Sequence, residues 1–579
     1  MQRVPKSALP RSLALTGLLS WASCAHAPTS APAPAAAQSD AGAVPEGTPD
    51  AENIARARRA QGAGKQAPLF AWSEFSPAAF ARAKAEGRLV LLDCVAVWCH
   101  WCHVMDETTY EDPAVAATLR DHFVTLRVDV DARPELAARY ESWGWPATVI
   151  FNSAGEELGK FRGYLTAGEL RAGLEAAQKA AAAGSAAPGA VEQPPKGILE
   201  PTATIDSLPW VGARLLRDLD GMFDEDEGGW GRRQKLPIGG NLEVELLRAQ
   251  HGDPASPARA KLTFEKQRLI LDPVWGGLYQ YSTGGVWTNP HFEKRLPIQT
   301  SAIEALARGY GQLKTQALLD DALRIAGYVH DFLQDGDGAF LVSQDADLGG
   351  FEGHGRFVDG HIYYRLDSMR RRALGIPRID RSVYPHENGL GISALLALAA
   401  VVPDPAQAAE LTGRARRAAE LMLTRFVDAD GMVVRNREAK DAPRYLADAA
   451  ALGRALAQLG ARTKESRYQQ AARNIASAML RIFGTNASGQ DSATDGERWL
   501  LWAHTPDPAA VGVFARRERP FAHNVLAARF LLALGDSQWK QRAQRILAGL
   551  ARPQTLDDQG RLIGEYLLAL DEAGSLRWR

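Results

Sequence analysis

Leu89-Val90-Leu91-Leu92-Asp93-Cys94-Val95-Ala96-Val97-Trp98-Cys99-His100-Trp101-Cys102-His103 is the stretch that decides how the first third of the chain folds. Its first half is a continuous apolar run, the pattern of a strand buried on both faces. Its second half predicts the opening of a helix, with two cysteines three positions apart. A thiol at a helix N-terminus meets the positive end of the dipole and free backbone N–H groups, which favour thiolate. Two thiols at that spacing can cycle between dithiol and disulfide with little backbone movement. Asp93, six residues before Cys99, is placed to take the proton of the second cysteine during exchange. Further on, Trp145-Pro146 precedes another apolar run, where a cis proline would shape the surface facing the disulfide.

Outward from this stretch, strand and helix patterns alternate. Residues 115–119 read as helix, 123–130 and 147–151 as strands, and 159–162 as a short strand. Asn152-Ser153-Ala154-Gly155 makes a turn, and Thr166 caps a closing helix. Such alternation implies an α/β layer domain over residues 69–180. Residues 181–201, rich in Ala, Gly, Ser and Pro, read as a linker. From 202 to 579 only helical patterns are expected. An acidic-glycine turn recurs among them, as Asp226-Glu227-Gly228-Gly229-Trp230, Asp335-Gly336-Asp337-Gly338-Ala339-Phe340 and Asp428-Ala429-Asp430-Gly431-Met432, with Asp272-Pro273-Val274-Trp275-Gly276-Gly277 as a looser copy. Helix termination by Asp and Gly explains most of these turns. Their repetition suggests helical hairpins closed into a toroid or stacked into a solenoid.

Asp93, Trp98-Cys99-x-x-Cys102 and Gly144-Trp145-Pro146 together resemble the thioredoxin fold. That resemblance implies Cys99 as the attacking cysteine, Cys102 as the resolving one, Asp93 as the buried acid and Pro146 as the cis proline. His100 and Trp101 stand where thioredoxins usually carry Gly-Pro; a protonated His100 beside the thiolate would make the disulfide more oxidising. The longer string Cys99 to Met105 is similar to the spermatogenesis-associated thioredoxin-like proteins and their bacterial relatives. So are Val128-Asp129-Val130-Asp131-Ala132-Arg133-Pro134, His291-Phe292-Glu293-Lys294 and Gln344-Asp345-Ala346-Asp347. The resemblance implies a multidomain protein: a thioredoxin-like domain followed by an all-α (α/α)6 toroid of the six-hairpin glycosidase type. Two strings depart from the family, Arg295-Leu296-Pro297-Ile298 and Phe521-Ala522-His523-Asn524. Both fall where a toroid cavity would be lined.

Other chemistry fits some of the same residues. Cys99-x-x-Cys102-His103 is also a c-type haem attachment string, and Cys99, His100, Cys102 and His103 together offer cramped metal ligands. Cys94, on the apolar strand, reads as an inert core thiol. Neither cofactor nor metal is expected. In the helical half His291, Glu293, Asp345, Asp347, His354 and Glu387 are candidate pocket residues for a carbohydrate ligand, since sugar chemistry needs paired carboxylates or general bases. The expected function is thiol–disulfide exchange on a protein disulfide or dithiol, through Cys99, Cys102, Asp93, Pro146, His100 and Trp98. Carbohydrate binding or processing by the toroid, with a regulatory redox domain, is one alternative; a non-catalytic envelope scaffold is another.

Composition narrows the classes further. The chain has 579 residues, 67 basic against 68 acidic, so no global field points to nucleic acid. Four cysteines exclude a disulfide-stapled scaffold. Arg3, Lys6 and Arg11 precede a short apolar run from Leu13 to Trp21, the layout of a secretory signal over residues 1–24. Ala22-Ser23-Cys24 resembles a lipoprotein signal with Cys24 as the lipidated residue, while Ala25-His26-Ala27 would release a soluble protein. A Pro/Ala-rich tether follows to residue 68. The expected location is the cell envelope, in the periplasm or on the outer membrane, with membrane contact only through the lipid.

Overall fold

Ser76 accepts a hydrogen bond from the Ala79 N–H and Pro77 opens the first helix, α1 (Pro77–Glu86), which ends at Gly87 in the left-handed region. The quoted stretch then forms β1 (Leu89–Val95) and α2 (His100–Thr108). Next come α3 (Pro113–His122), β2 (Phe123–Asp129), β3 (Ala147–Phe151), β4 (Glu157–Arg162) and α4 (Ala167–Ala182). Thr166 and Glu169 close a reciprocal capping box on α4. The sheet order is β2-β1-β3-β4, with β1 and β2 parallel and the other neighbours antiparallel. β1 is central, which is why its run is apolar on both faces. This computed structural model describes residues 69–184, 203–349, 357–436, 442–484 and 497–578. Cys24, the signal and tether segments, most of the linker and His354 lie outside the described residues.

The second half closes on itself. Its helices are α5 (Leu208–Met222), α6 (Gly239–Gln250), α7 (Ser256–Gln267), α8 (Leu296–Leu313), α9 (Gln316–Phe332) and α10 (Pro385–Ala399). They continue with α11 (Pro405–Phe426), α12 (Leu446–Thr463), α13 (Ser466–Phe483), α14 (Phe521–Ala533), α15 (Ser537–Leu550) and α16 (Gly564–Glu572). The even-numbered helices from α6 to α16 touch in sequence, and α16 returns to pack against α6. Each inner helix has an outer partner, α5 serving the last one, α16. The result is a six-hairpin α/α toroid. Inner helices such as α10 and α12 are buried around nearly their whole circumference, whereas the outer α13 buries one stripe, including Tyr468, Ala472, Ile475, Ala476 and Met479.

The recurring acidic-glycine turns each return the chain through one antiparallel bridge, Phe223 with Trp230, Leu271 with Leu278, Gln334 with Phe340 and Val427 with Val433. Buried lysines brace the first two. Lys235 Nζ reaches Asp224 at 2.7 Å, and Lys294 Nζ reaches Asp272 at 2.6 Å. Side-chain amides on the inner helices clasp the backbone entering them: Gln299 holds Leu278, Asn388 holds Phe340 and Asn524 holds Leu501, each donating and accepting. Asn524, within one of the departing strings, is thus a structural clasp. The expectation of helices alone beyond residue 202 needs correction. Two-residue strands tie the loops at one end of the ring, pairing Lys294-Arg295 with Ser343-Gln344 and the latter with Ile379-Asp380. Short extended pairs of this kind leave no apolar period to read.

Candidate active site at the domain junction

Cys99 caps α2, its Sγ accepting from the Cys102 N–H at 3.2 Å, and the two cysteines form a disulfide with Cα atoms 5.3 Å apart. The Trp145–Pro146 peptide is cis. Asp93 is fully buried on β1, opposite Arg127 of β2 and Thr148 of β3. Burial pushes its carboxyl up to about 6, with Arg127, 2.9 Å away, opposing. Cys94 is buried and desolvation pushes its thiol far up, which disfavours the reactive thiolate.

The toroid covers this centre. A loop at residues 510–514 threads into the core of the α/β domain, where Phe514 packs edge-on against Phe75 and lies against Phe151. The approach is so close that Gly155 and Gly512, both at positive φ, touch backbone to backbone; a Cβ on Gly155 would lie 2.9 Å from the Gly512 Cα. Trp98 donates from Nε1 to Asp131 at 2.7 Å, while Arg295 of the toroid lies over its ring at 4.3 Å. Tyr445 donates to Glu135 at 2.7 Å. Cys99 itself is only 3% exposed.

His100, the first of the two residues between the cysteines, is paired with a carboxylate of the toroid. Its Nδ1 is 2.5 Å from the Asp347 Oδ2 of the toroid. Burial alone would depress this imidazole, but Asp347, with Asp359 and Glu293 farther off, pushes it up to about 9. His100 is thus the protonated member of an ion pair with Asp347 at neutral pH. Glu293 lies at the N-terminus of the redox helix, within reach of the His100 backbone N–H; burial pushes its carboxyl up to about 7. His103, one turn into α2, has Nδ1 3.6 Å from Asp345 Oδ1, and burial lowers its affinity for a proton. Burial and Asp347 together push the Asp345 carboxyl well up.

Three of the expected pocket residues, Glu293, Asp345 and Asp347, thus meet, and they meet the cysteine motif. The strand pair Lys294↔Gln344 is what sets Glu293 beside Asp345. His291 stacks on Tyr281 with ring centroids 4.2 Å apart. Glu387 belongs to a second cluster at the inner helix ends. There His386 Nδ1 is 3.0 Å from Glu387, and Arg435 donates to Asp448 at 2.7 Å. Against burial, the charges of His386 and Arg435 hold the Glu387 carboxyl down at about 2. Sequence reasoning missed Asp359 and Phe514 altogether; it picked out His103, Asp131 and Arg295 within strings, but as parts of one domain and not as partners across this junction.

Residues 63–167 match a family described as Thioredox_DsbH, protein of unknown function, DUF255. Human spermatogenesis-associated protein 20 is 26% identical over 318 residues, covering 48% of this chain and 39% of its own length. The chain therefore spans about two-fifths of that curated relative. Thiol:disulfide interchange protein DsbD 2 of Pseudomonas aeruginosa is 39% identical over 97 residues, 16% of each chain. Among solved structures, a cellobiose 2-epimerase from Bacillus thermoamylovorans aligns with a TM-score of 0.42 at 13% identity, covering 59% of this chain and 85% of its own. The chain is thus similar to spermatogenesis-associated protein 20 over about half its length, and joins a thioredoxin-like domain, which the DUF255 family matches over residues 63–167, to a six-hairpin α/α toroid.

Proposed function

We propose that this protein is a thiol–disulfide oxidoreductase whose redox centre is completed by its toroid. The observation that carries the reading is the Cys99–Cys102 disulfide at the N-terminus of α2, behind a central strand bearing Asp93. In the reduced form the Cys99 thiolate attacks one sulfur of a substrate disulfide, and the substrate's other sulfur leaves as a thiolate and takes up a proton. Cys102, losing its proton to Asp93, then attacks Cys99 Sγ and releases the second substrate thiol. The cysteine pair loses two electrons and the substrate gains two. A dithiol donor restores the pair, and run backwards the same steps oxidise a substrate dithiol. Burial of Cys99 favours disulfides in extended segments or small molecules over those on folded surfaces. Cys99→Ser should reduce turnover of a model disulfide to the buffer background, and Cys102→Ser should trap a mixed disulfide; turnover that persists in Cys99→Ser sinks the reading.

A second reading rests on the other cluster. His386 is raised by Glu387 against its burial, whereas burial lowers His523 to about 4. Paired imidazoles with opposed proton affinities suit acid–base work on a carbohydrate, with the cysteine pair as its regulator. A thermal-shift screen against mono- and disaccharides, with and without reductant, tests it; no shift in either state removes it. The proposed setting is the cell envelope, with Cys24 lipidated. Cys24→Ser should then move the protein from the membrane to the soluble fraction.

A further inference from the structure

Among the described residues, several carboxylates crowd together at the junction. Glu293, Asp347 and Asp359 act on the charge of His100, Asp345 interacts with Asp347, Glu293 and His100, and Arg378 acts on the neighbouring His103. Glu293, Asp345 and Asp347 are almost completely buried. Buried charges of one sign are costly unless something of the opposite sign joins them. One nitrogen of His103 and one oxygen each of Asp345 and Asp347 all lie within 4.8 Å of one another. Two donors bound to one first-row ion at about 2.1 Å are at most about 4.2 Å apart, so a small inward movement of the side chains closes the set. A second observation points to the same place. The Glu293 Oε2 atom is buried with no hydrogen-bond partner, and its carboxylate is in electrostatic contact with Asp345 and Asp347.

We infer that His103, Asp345 and Asp347 bind a first-row divalent cation, with Glu293 as a further oxygen donor, at the seam between redox helix and toroid. One imidazole with hard carboxylates suits Zn²⁺ or Mn²⁺ and disfavours the soft, thiolate-seeking Cu⁺. The ligands come from both domains: His103 from α2, Asp345 and Asp347 from the loop between α9 and α10, so the ion also ties the two together. The Asp347 oxygens already serve His100 Nδ1 and the Gly360 N–H at 2.8 Å, contacts that orient it as outer-shell partners do. The site is separate from the thiol chemistry, since neither cysteine sulfur is among its donors.

The full chain, oxidised and stripped of metal, is titrated with ZnCl2 and with MnCl2 by calorimetry. One equivalent of at least one ion should bind. Asp345→Asn and His103→Gln should each weaken it about a hundredfold, the scale on which loss of a metal-site partner is felt. Cys99→Ser/Cys102→Ser should bind as tightly as the parent, which separates this site from ligation by the cysteines and from failure of the oxidoreductase reading. Should a variant misfold, anomalous diffraction at the manganese or zinc edge of the parent locates the ion without substitution. No saturable binding of either ion, affinity unchanged in both ligand variants, or an anomalous peak elsewhere overturns the inference.

Discussion

Asp272 and Asp345 sit on loops between toroid helices, and both are almost fully buried, yet they have opposite characters. Asp272 is gripped by Lys294 at 2.6 Å and by Arg371 at 2.7 and 3.1 Å, and these cations hold its carboxyl below the usual range despite burial. Asp345 has Asp347 beside it and Glu293 nearby, and burial pushes it the other way. Burial is common to both, so charge balance is what distinguishes a brace from a site. The same division runs through one four-residue string: Lys294 serves the brace and Glu293 the site.

That contrast can be broken by substitution. Asp272→Asn strands two buried cations and should cost about 3–5 kcal/mol in denaturant unfolding; a loss below about 1 kcal/mol would show that the brace is no brace. Phe514→Ala empties an aromatic position in the core of the α/β domain. It should cost about 3–4 kcal/mol and make the junction susceptible to limited proteolysis, whereas a protease pattern like the parent's would mean that other contacts hold the domains. Asp347→Asn removes the partner that lifts His100. A histidine raised from about 6.5 to about 9 adds stability that is complete below pH 6.5 and is lost as pH rises through 9. The parent should therefore exceed the variant by on the order of 2 kcal/mol at pH 6, with the gap narrowing by pH 10; a gap that widens with pH contradicts the pairing. Asp345→Asn, which relieves like-charge crowding, should stay within about 1 kcal/mol of the parent in metal-free buffer.

Much of the α/β domain could be read in advance because its signals are local. The apolar run of β1, the capping residue Thr166 and the Trp145-Pro146 pair each announce their own conformation within a few residues. The acidic-glycine turns were legible for the same reason, since Asp caps and Gly reverses the chain wherever it stands. Less of the junction was readable. Glu293, Asp345 and Asp347 stood out as carboxylates in loops, but nothing local distinguishes them from Asp272, whose partners lie 22 and 99 residues away. His100 invited a reading as a neighbour of the sulfur because its partner, Asp347, is 247 residues distant. Phe514, in a single 3-10 turn (Gly512–Ala515), stands in an element too short to show a period.

What the sequence determined by itself was the α/β pattern around the cysteine motif, the helical character of the second half, the cysteine pair and the order of the two domains, for these follow from propensities and spacings a few residues wide. The tertiary structure alone decided that the second domain roofs the cysteines of the first, that His100 pairs with a toroid carboxylate, and that three expected pocket acids converge on the redox helix. The physical reason is range. Electrostatic balance and burial belong to neighbours in space, and at this junction the neighbours are drawn from segments hundreds of residues apart.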